Sequence, residues 1–199
     1  VLEDFENYFR PTVMAVLASR EKPTASGVKI ETLGGRVFGV QLQSKSLVSS
    51  PQKIMNPQQI AESFGLSFTR QTPGYLNLCV RSGNQLLTSG HVSDLKGKLG
   101  ADLQTEDGYT AARNCAEKIL NSVWNCHGTL DGLKVVKVLG CVNSTLDFTD
   151  QHLVINGCSD LLHQVFGKEG NGFHARSALG FVQLPTGAAV EVEAIFEVL

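Results

Sequence analysis

The stretch His174–Leu199, HARSALGFVQLPTGAAVEVEAIFEVL, holds two strand patterns around a tight turn, and its reading decides the fold. In the second run Val190, Val192, Ala194, Phe196 and Val198 fall on one face. Glu191, Glu193 and Glu197 fall on the other, the period-two pattern of a half-buried strand. Leu184-Pro185-Thr186-Gly187-Ala188 supplies the turn, with proline setting φ and glycine free to take φ > 0. Arg176 stands at the head of the first run. Its guanidinium is a planar fork of donors suited to a carboxylate or phosphate. A Glu on a strand face that lines a cleft can orient or deprotonate a water. The same residues also describe a solvated face carrying a surface ion pair, and the pattern alone leaves both readings open.

Upstream, Leu133–Val142 (LKVVKVLGCV) is short and dense in Val and Leu, as a buried central strand is. Gly108–His127 carries Ala112, Cys115, Ala116, Ile119, Leu120 and Val123 at three- and four-residue spacing, one apolar helical stripe closed by Gly128. A second helix is predicted over about 150–166, with Val154, Cys158, Leu161, Leu162 and Val165 as its stripe, Thr149 as cap and Gly167 as terminator. Tyr75–Val80 and Gln85–Val92 read as two strands joined by Arg81-Ser82-Gly83-Asn84. Gly90 inside a strand marks a bulge or a close approach to another group. Asn56-Pro57 opens a short helix that ends before Gly65. Strands at both ends with two helices between them predict an α+β class, a mixed sheet with two helices on one face.

Residues 1–52 form an extension to a domain over 53–199 in this reading. A helix is predicted over 2–17 and a hairpin around Gly34-Gly35, and 45–52 reads as a linker. Acidic residues at Glu3, Asp4 and Glu6 speak against a transit peptide. Net charge is −2 with no run of Lys or Arg, which argues against a nucleic-acid partner. No apolar stretch approaches the ~18 residues of a membrane span. The cysteines Cys79, Cys115, Cys126, Cys141 and Cys158 are odd in number, irregularly spaced and set among apolar neighbours. They are expected to be reduced and structural, in a cytoplasmic location with the mitochondrion as the alternative. Cysteine and histidine show no zinc-like spacing.

ARSALGFVQLPTGAAVEVEAI resembles the C-terminal signature of the Rid family (reactive intermediate deaminases, also called YjgF or L-PSP), with its Ala-Arg-Ser, Leu-Pro and Glu-x-Glu-Ala elements. Leu86–His91 (LLTSGH) resembles the family's Ser-Gly-Gln strand, with His91 in the glutamine's place. The resemblance spans about Asn56–Leu199, and the segments 135–167 and HARSALG look like a less characterised branch. It implies a chorismate-mutase-like fold in which three sheets close a trimeric barrel. The activity it implies is hydrolysis of enamines and imines such as 2-aminoacrylate or 2-iminobutanoate to ammonia and a 2-oxo acid, with no metal or organic cofactor. By motif, Arg176 would bind the substrate carboxylate and Glu191 would hold the water. Tyr75, Ser89, Gly90, Asn156 and Ala178 would line the pocket, Ala178 standing where many deaminating members carry cysteine. A non-catalytic trimer that binds a small carboxylate metabolite or a partner protein is the alternative. Endoribonuclease activity, reported for some relatives, is disfavoured by the charge and by the 7% aromatic content. His174, beside the arginine, is a candidate acid or base.

Register also bears on assembly. If Leu184 pairs with Ala188, Phe181 lies opposite Glu191 and Arg176 lies five positions further along. At about 3.3 Å per residue, Arg176 and Glu191 of one chain stand ~16 Å apart. One small imino acid cannot bridge that gap, so sites shared between subunits are predicted.

Overall fold

Leu133–Asn143 (β6) is the strand on which the sheet is assembled, because Leu133 and Val135 and, past an irregularity at residue 136, Val138 and Val142 are all buried. The computed structural model describes residues 54–199, together with strands at 32–33 and 36–37. Contacts divide the chain into two compact units, residues 1–52 and 53–199. In the first, Thr32–Leu33 (β1) and Arg36–Val37 (β2) pair antiparallel, within the predicted hairpin. The helix expected over 2–17 and the linker lie outside the described residues.

In the second unit Pro57–Ser63 (α1) begins with a capping box. The Asn56 side chain accepts from the Gln59 backbone N–H, and the Gln59 side chain accepts from that of Asn56. Cys79–Ser82 (β3) and Gln85–Thr88 (β4) form a hairpin around Gly83 (φ 61°), where glycine supplies the left-handed conformation without a Cβ clash. His91–Val92 (β5) follows, then the helix Thr105–His127 (α2), β6, the helix Gln151–Phe166 (α3), Ala175–Phe181 (β7) and Val190–Val198 (β8). The sheet runs β3-β4-β8-β6-β7, with β5 also on β8. Both long helices pack on one face of it. Their predicted apolar stripes are buried without exception, and they meet Val190, Val192, Ala194 and Phe196 of β8. This is an α+β fold with a mixed six-stranded sheet.

Three boundaries shift. The helix expected from Gly108 starts at Thr105, where Asp107 accepts from the Gln104 backbone N–H (2.9 Å). The second helix is preceded by Asp150 rather than capped by Thr149. Tyr75–Leu78 is not strand; β3 begins only at Cys79, where pairing with Thr88 becomes available.

The larger correction concerns the C-terminal pair. β7 and β8 are not neighbours, because β6 lies between them, parallel to β7 and antiparallel to β8. The β6–α3–β7 unit is a helical crossover, which carries β7 to the sheet edge. From there Pro185–Gly187 takes the chain past the end of β6 to its other side. Asn143 anchors the crossing, its Nδ2 donating to the carbonyls of Gly97 (3.0 Å) and Ala188 (3.2 Å). Lys98 Nζ holds the same corner through Asn143 Oδ1 (2.6 Å) and the Val182 carbonyl. An apolar run such as β6 needs a partner on each edge, and the Leu-Pro-Thr-Gly turn is long enough to span it.

Candidate functional site

Arg176 shares its β7 face with Ala178 and Gly180, the face that looks toward α3. Its Nη1 donates to Asn156 Oδ1 (2.9 Å) and Ser159 Oγ (3.1 Å), and its Nη2 to the His152 carbonyl (3.2 Å). Asn156 and Ser159 are three residues apart on α3, so one helical turn presents both to the strand. Of the five guanidinium N–H groups, these bonds take three. Nε–H and one Nη2–H have no partner among the described residues. Burial pulls the guanidinium below arginine's ordinary value, opposed by Cys158 and Asp160. A half-buried cation with two donors left over is suited to a carboxylate.

Ser159 and His174 complete a relay behind the arginine. His174 Nδ1 faces the Gly172 carbonyl at 2.6 Å and therefore carries the proton. Nε2 then accepts from the Ser159 hydroxyl at 3.0 Å. Burial lowers the His174 pKa first, with the neighbouring His163 and Arg176 adding to it against the Gly172 bond. A neutral, doubly bonded imidazole orients the serine that orients the arginine. The sequence signal for His174 was its adjacency to the motif. Ser159, buried within a helix, offered none.

Glu191 belongs to the other face of the sheet. Val190 and Val192 point to the helices, so the glutamate between them points away. The break between β4 and β5 brings Gly90 to it. Leu87 pairs Ile195 and His91 pairs Val192, so three residues of one strand face two of the other, a bulge. A Cβ on residue 90 would overlap the Glu191 carboxylate, so any larger residue there would displace that side chain. Burial, then the charge of Glu193, raises the Glu191 pKa.

His91 fixes the bulge. Its Nδ1 donates to the Ser89 carbonyl (2.7 Å), and its Nε2 accepts from Ser122 on α2 (2.8 Å). Ser89 Oγ donates to the Asn77 carbonyl (2.8 Å). Burial is the main cause that lowers the His91 pKa. Folded His91 thus resists protonation more than unfolded histidine does, whose pKa is about 6.5. The unfolded state binds more protons below that pH, so this contribution is intact above about 6.5 and is lost as pH falls. The expected result for His91→Gln is lower stability at pH 7.5 but a smaller drop between pH 7.5 and 5.5 than wild type shows. Urea unfolding at the two pH values measures it, and an unchanged drop would contradict the assignment.

The chain therefore brings together Arg176 with Asn156, and separately Glu191 with Gly90, while the Ser89 hydroxyl is taken by the Asn77 carbonyl. It does not join the two groups. Val138 lies beside Arg176 and Cys141 beside Glu191, so the two residues are three positions and two strand spacings apart. That is about 14 Å between Cα atoms, on opposite faces of the sheet. The ~16 Å from the hairpin register rested on a pairing that does not exist, although the separation persists. Ala178 packs against the core. Tyr75 is fully exposed in the segment before β3. Surface concavities beside Arg70, Ser122 and Asn125, and beside Asp94, Arg113 and Glu117, contain none of the predicted site residues. Among the described residues no group of three or more His, Cys, Asp or Glu is placed to hold a metal ion, and no helix is long and apolar enough to cross a membrane.

The same arrangement of strands and helices occurs in known proteins. Protein TCP17 of Trypanosoma cruzi is 40% identical over 159 residues, covering 76% of this chain and 98% of TCP17. Among solved structures, the Agrobacterium tumefaciens protein Atu1372, of unknown function, superposes with a TM-score of 0.65 at 34% identity, covering 72% of this chain and 94% of that one. A structure from Shewanella oneidensis MR-1 also reaches 0.65, at 24% identity over 72% and 99% of the two chains, and so shares the fold. The family described as Endoribonuclease L-PSP matches residues 69–198, the span that runs from the segment before β3 to the end of β8. The Arg176 and Glu191 strands both lie inside that match, and the chain belongs to the Rid/YjgF/L-PSP family.

Proposed function

We propose that this chain hydrolyses small 2-imino or 2-enamino acids, releasing ammonia and a 2-oxo acid. The observation that carries this reading is Arg176, half-buried, braced by Asn156 and Ser159, and with two N–H donors unused by the protein. A substrate carboxylate would take those donors as a bidentate pair. Glu191, facing out of the sheet beside Gly90, would as its carboxylate orient the water that attacks the C=N carbon. No metal or cofactor is needed for that chemistry, since holding the substrate and directing one water supply the catalysis.

Because the two groups face opposite ways within one chain, a shared substrate calls for a second subunit. Val80, Leu179 and Phe181 leave apolar surface exposed on the Glu191 side of the sheet, which supports burial of that face in a homo-oligomer, a trimer by family resemblance. The same separation favours one second reading, a carboxylate-binding protein that uses Arg176 without catalysis. Ammonia release from freshly generated 2-aminoacrylate or 2-iminobutanoate, with carboxylate binding measured in parallel, separates the two. Turnover lost in Glu191→Ala while binding persists supports the enzyme. Binding without any wild-type turnover supports the binder. The family's endoribonuclease description is not adopted for this chain, whose net charge of −2 offers no basic track for RNA.

The raised Glu191 pKa has a consequence for the pH profile. The carboxylate must be ionised to hold the water as acceptor, so activity should fall on acidification, with a midpoint above glutamate's ordinary value of about 4.3. Glu193→Gln removes a neighbouring like charge, so the limb should move to lower pH. A limb that stays in place, in kcat/KM measured from pH 4.5 to 7.5, would remove Glu191 from the reaction.

A further inference from the structure

The concavity at the C-terminal end of α2 meets the site above only through Asn77 and Ser122, and two cysteines line it. Cys79 opens β3 and is half-buried; Cys126 lies in the last turn of α2 and is exposed. Cys126 falls off the buried stripe that ends at Val123 and is exposed, which a structural cysteine is not expected to be. β3 and α2 pack directly on each other, and Cys79 and Cys126 line the same small concavity between them. Cys115 and Cys158 are buried, and Cys141 lies on β6 facing away from the helices.

We propose that Cys79 and Cys126 form a dithiol modification site, closed to an intramolecular disulfide by exchange with a small anionic disulfide of the glutathione type. Exposure decides the order of events. The Cys126 thiolate attacks one sulfur of the external disulfide, whose S–S bond breaks and whose first thiolate leaves and takes a proton from water. Cys79 then gives its proton to solvent and attacks the Cys126 sulfur, expelling the second thiolate. Two protein thiols are oxidised and one external disulfide is reduced to two thiols. The Cys79 thiol is pushed up to about 12, first by burial and then by the neighbouring Cys126. Arg70, which lines the same concavity, supplies a cation complementary to the carboxylates of glutathione disulfide.

The bridge would join the edge strand to the helix that already straps the preceding segment. Thr69 N–H donates to Asn121 Oδ1 (2.9 Å) and Gln71 N–H to Asn125 Oδ1 (3.0 Å). Closing so long a loop restricts the unfolded chain, and the melting temperature should rise by several degrees.

The full chain is incubated with glutathione disulfide, then analysed by intact mass, non-reduced peptide mapping and thermal melting. The expected result is loss of two hydrogens, a Cys79–Cys126 peptide, and a raised Tm that dithiothreitol reverses. Cys79→Ser should instead stop at a glutathione adduct on Cys126. Cys126→Ser, a surface change that leaves the core intact, should show neither adduct nor bridge. A bridge between any other pair, an adduct that persists on folded wild type, or no oxidation at all overturns the proposal.

Discussion

Arg176→Lys should lose nearly as much ammonia release as Arg176→Ala, both falling about 30-fold or more in kcat/KM. Truncating one side of a desolvated, hydrogen-bonded charge pair costs roughly 2–5 kcal/mol, about 30-fold to several thousand-fold. Lysine keeps the charge and loses the geometry. Arginine spends Nη1 on Asn156 and Ser159 and Nη2 on the His152 carbonyl, with Nε and an Nη2 proton left for substrate. A single ammonium with three donors cannot hold the α3 side chains and a bidentate carboxylate together. A lysine variant with wild-type kcat/KM would refute the bidentate role. Circular dichroism separates this from unfolding, because β7 is an edge strand and Arg176 is only half-buried, outside the apolar core. If sites are shared between subunits, Arg176→Ala and Glu191→Ala chains unfolded and refolded together should regain activity that neither has alone. A fully active monomer would end that interpretation.

Gly157→Ala should destabilise the fold by about 2 kcal/mol or more, a large share of the roughly 5–15 kcal/mol typical of a domain. Gly157 is buried in α3 where it crosses α2. A Cβ there would overlap the Tyr109 carbonyl oxygen, with Tyr109 C at 2.8 Å and Arg113 N at 3.2 Å. These are backbone atoms of the facing helix, so no rotamer change relieves the overlap and the helices must part. Alanine's better helix propensity returns only about 1 kcal/mol. Parting α2 from α3 would also lengthen the Tyr109–Asp160 hydrogen bond (2.9 Å) that ties them. Gly74→Ala is the control. Nothing lies within 4 Å of its added Cβ and its φ is not in the left-handed region, so its urea midpoint should match wild type. A Gly157→Ala midpoint equal to that of Gly74→Ala would show that the helices can separate freely.

The sequence by itself determined orientation within each element. Alternation along Val190–Val198 and the three-four stripes of α2 and α3 state which side chains are buried, because burial on one face follows the local period. Asn56-Pro57, Gly128 and Gly167 marked helix ends through local backbone chemistry. The Ala-Arg-Ser and Glu-x-Glu motifs were legible for the same reason, since each is a contiguous string. Which strands become neighbours is a different kind of information. A turn such as Leu-Pro-Thr-Gly can close a hairpin or span a strand, and only the apolar run of β6, which needs partners on both edges, selects the second. That choice moved β7 to the sheet edge and turned Arg176 toward α3 while Glu191 faces away. Ser159, the bulge that sets Gly90 against Glu191, and the meeting of Cys79 with Cys126 depend on residues far apart in the chain. They arise only once the helices settle on the sheet, because contact across elements is fixed by packing and not by spacing along the sequence.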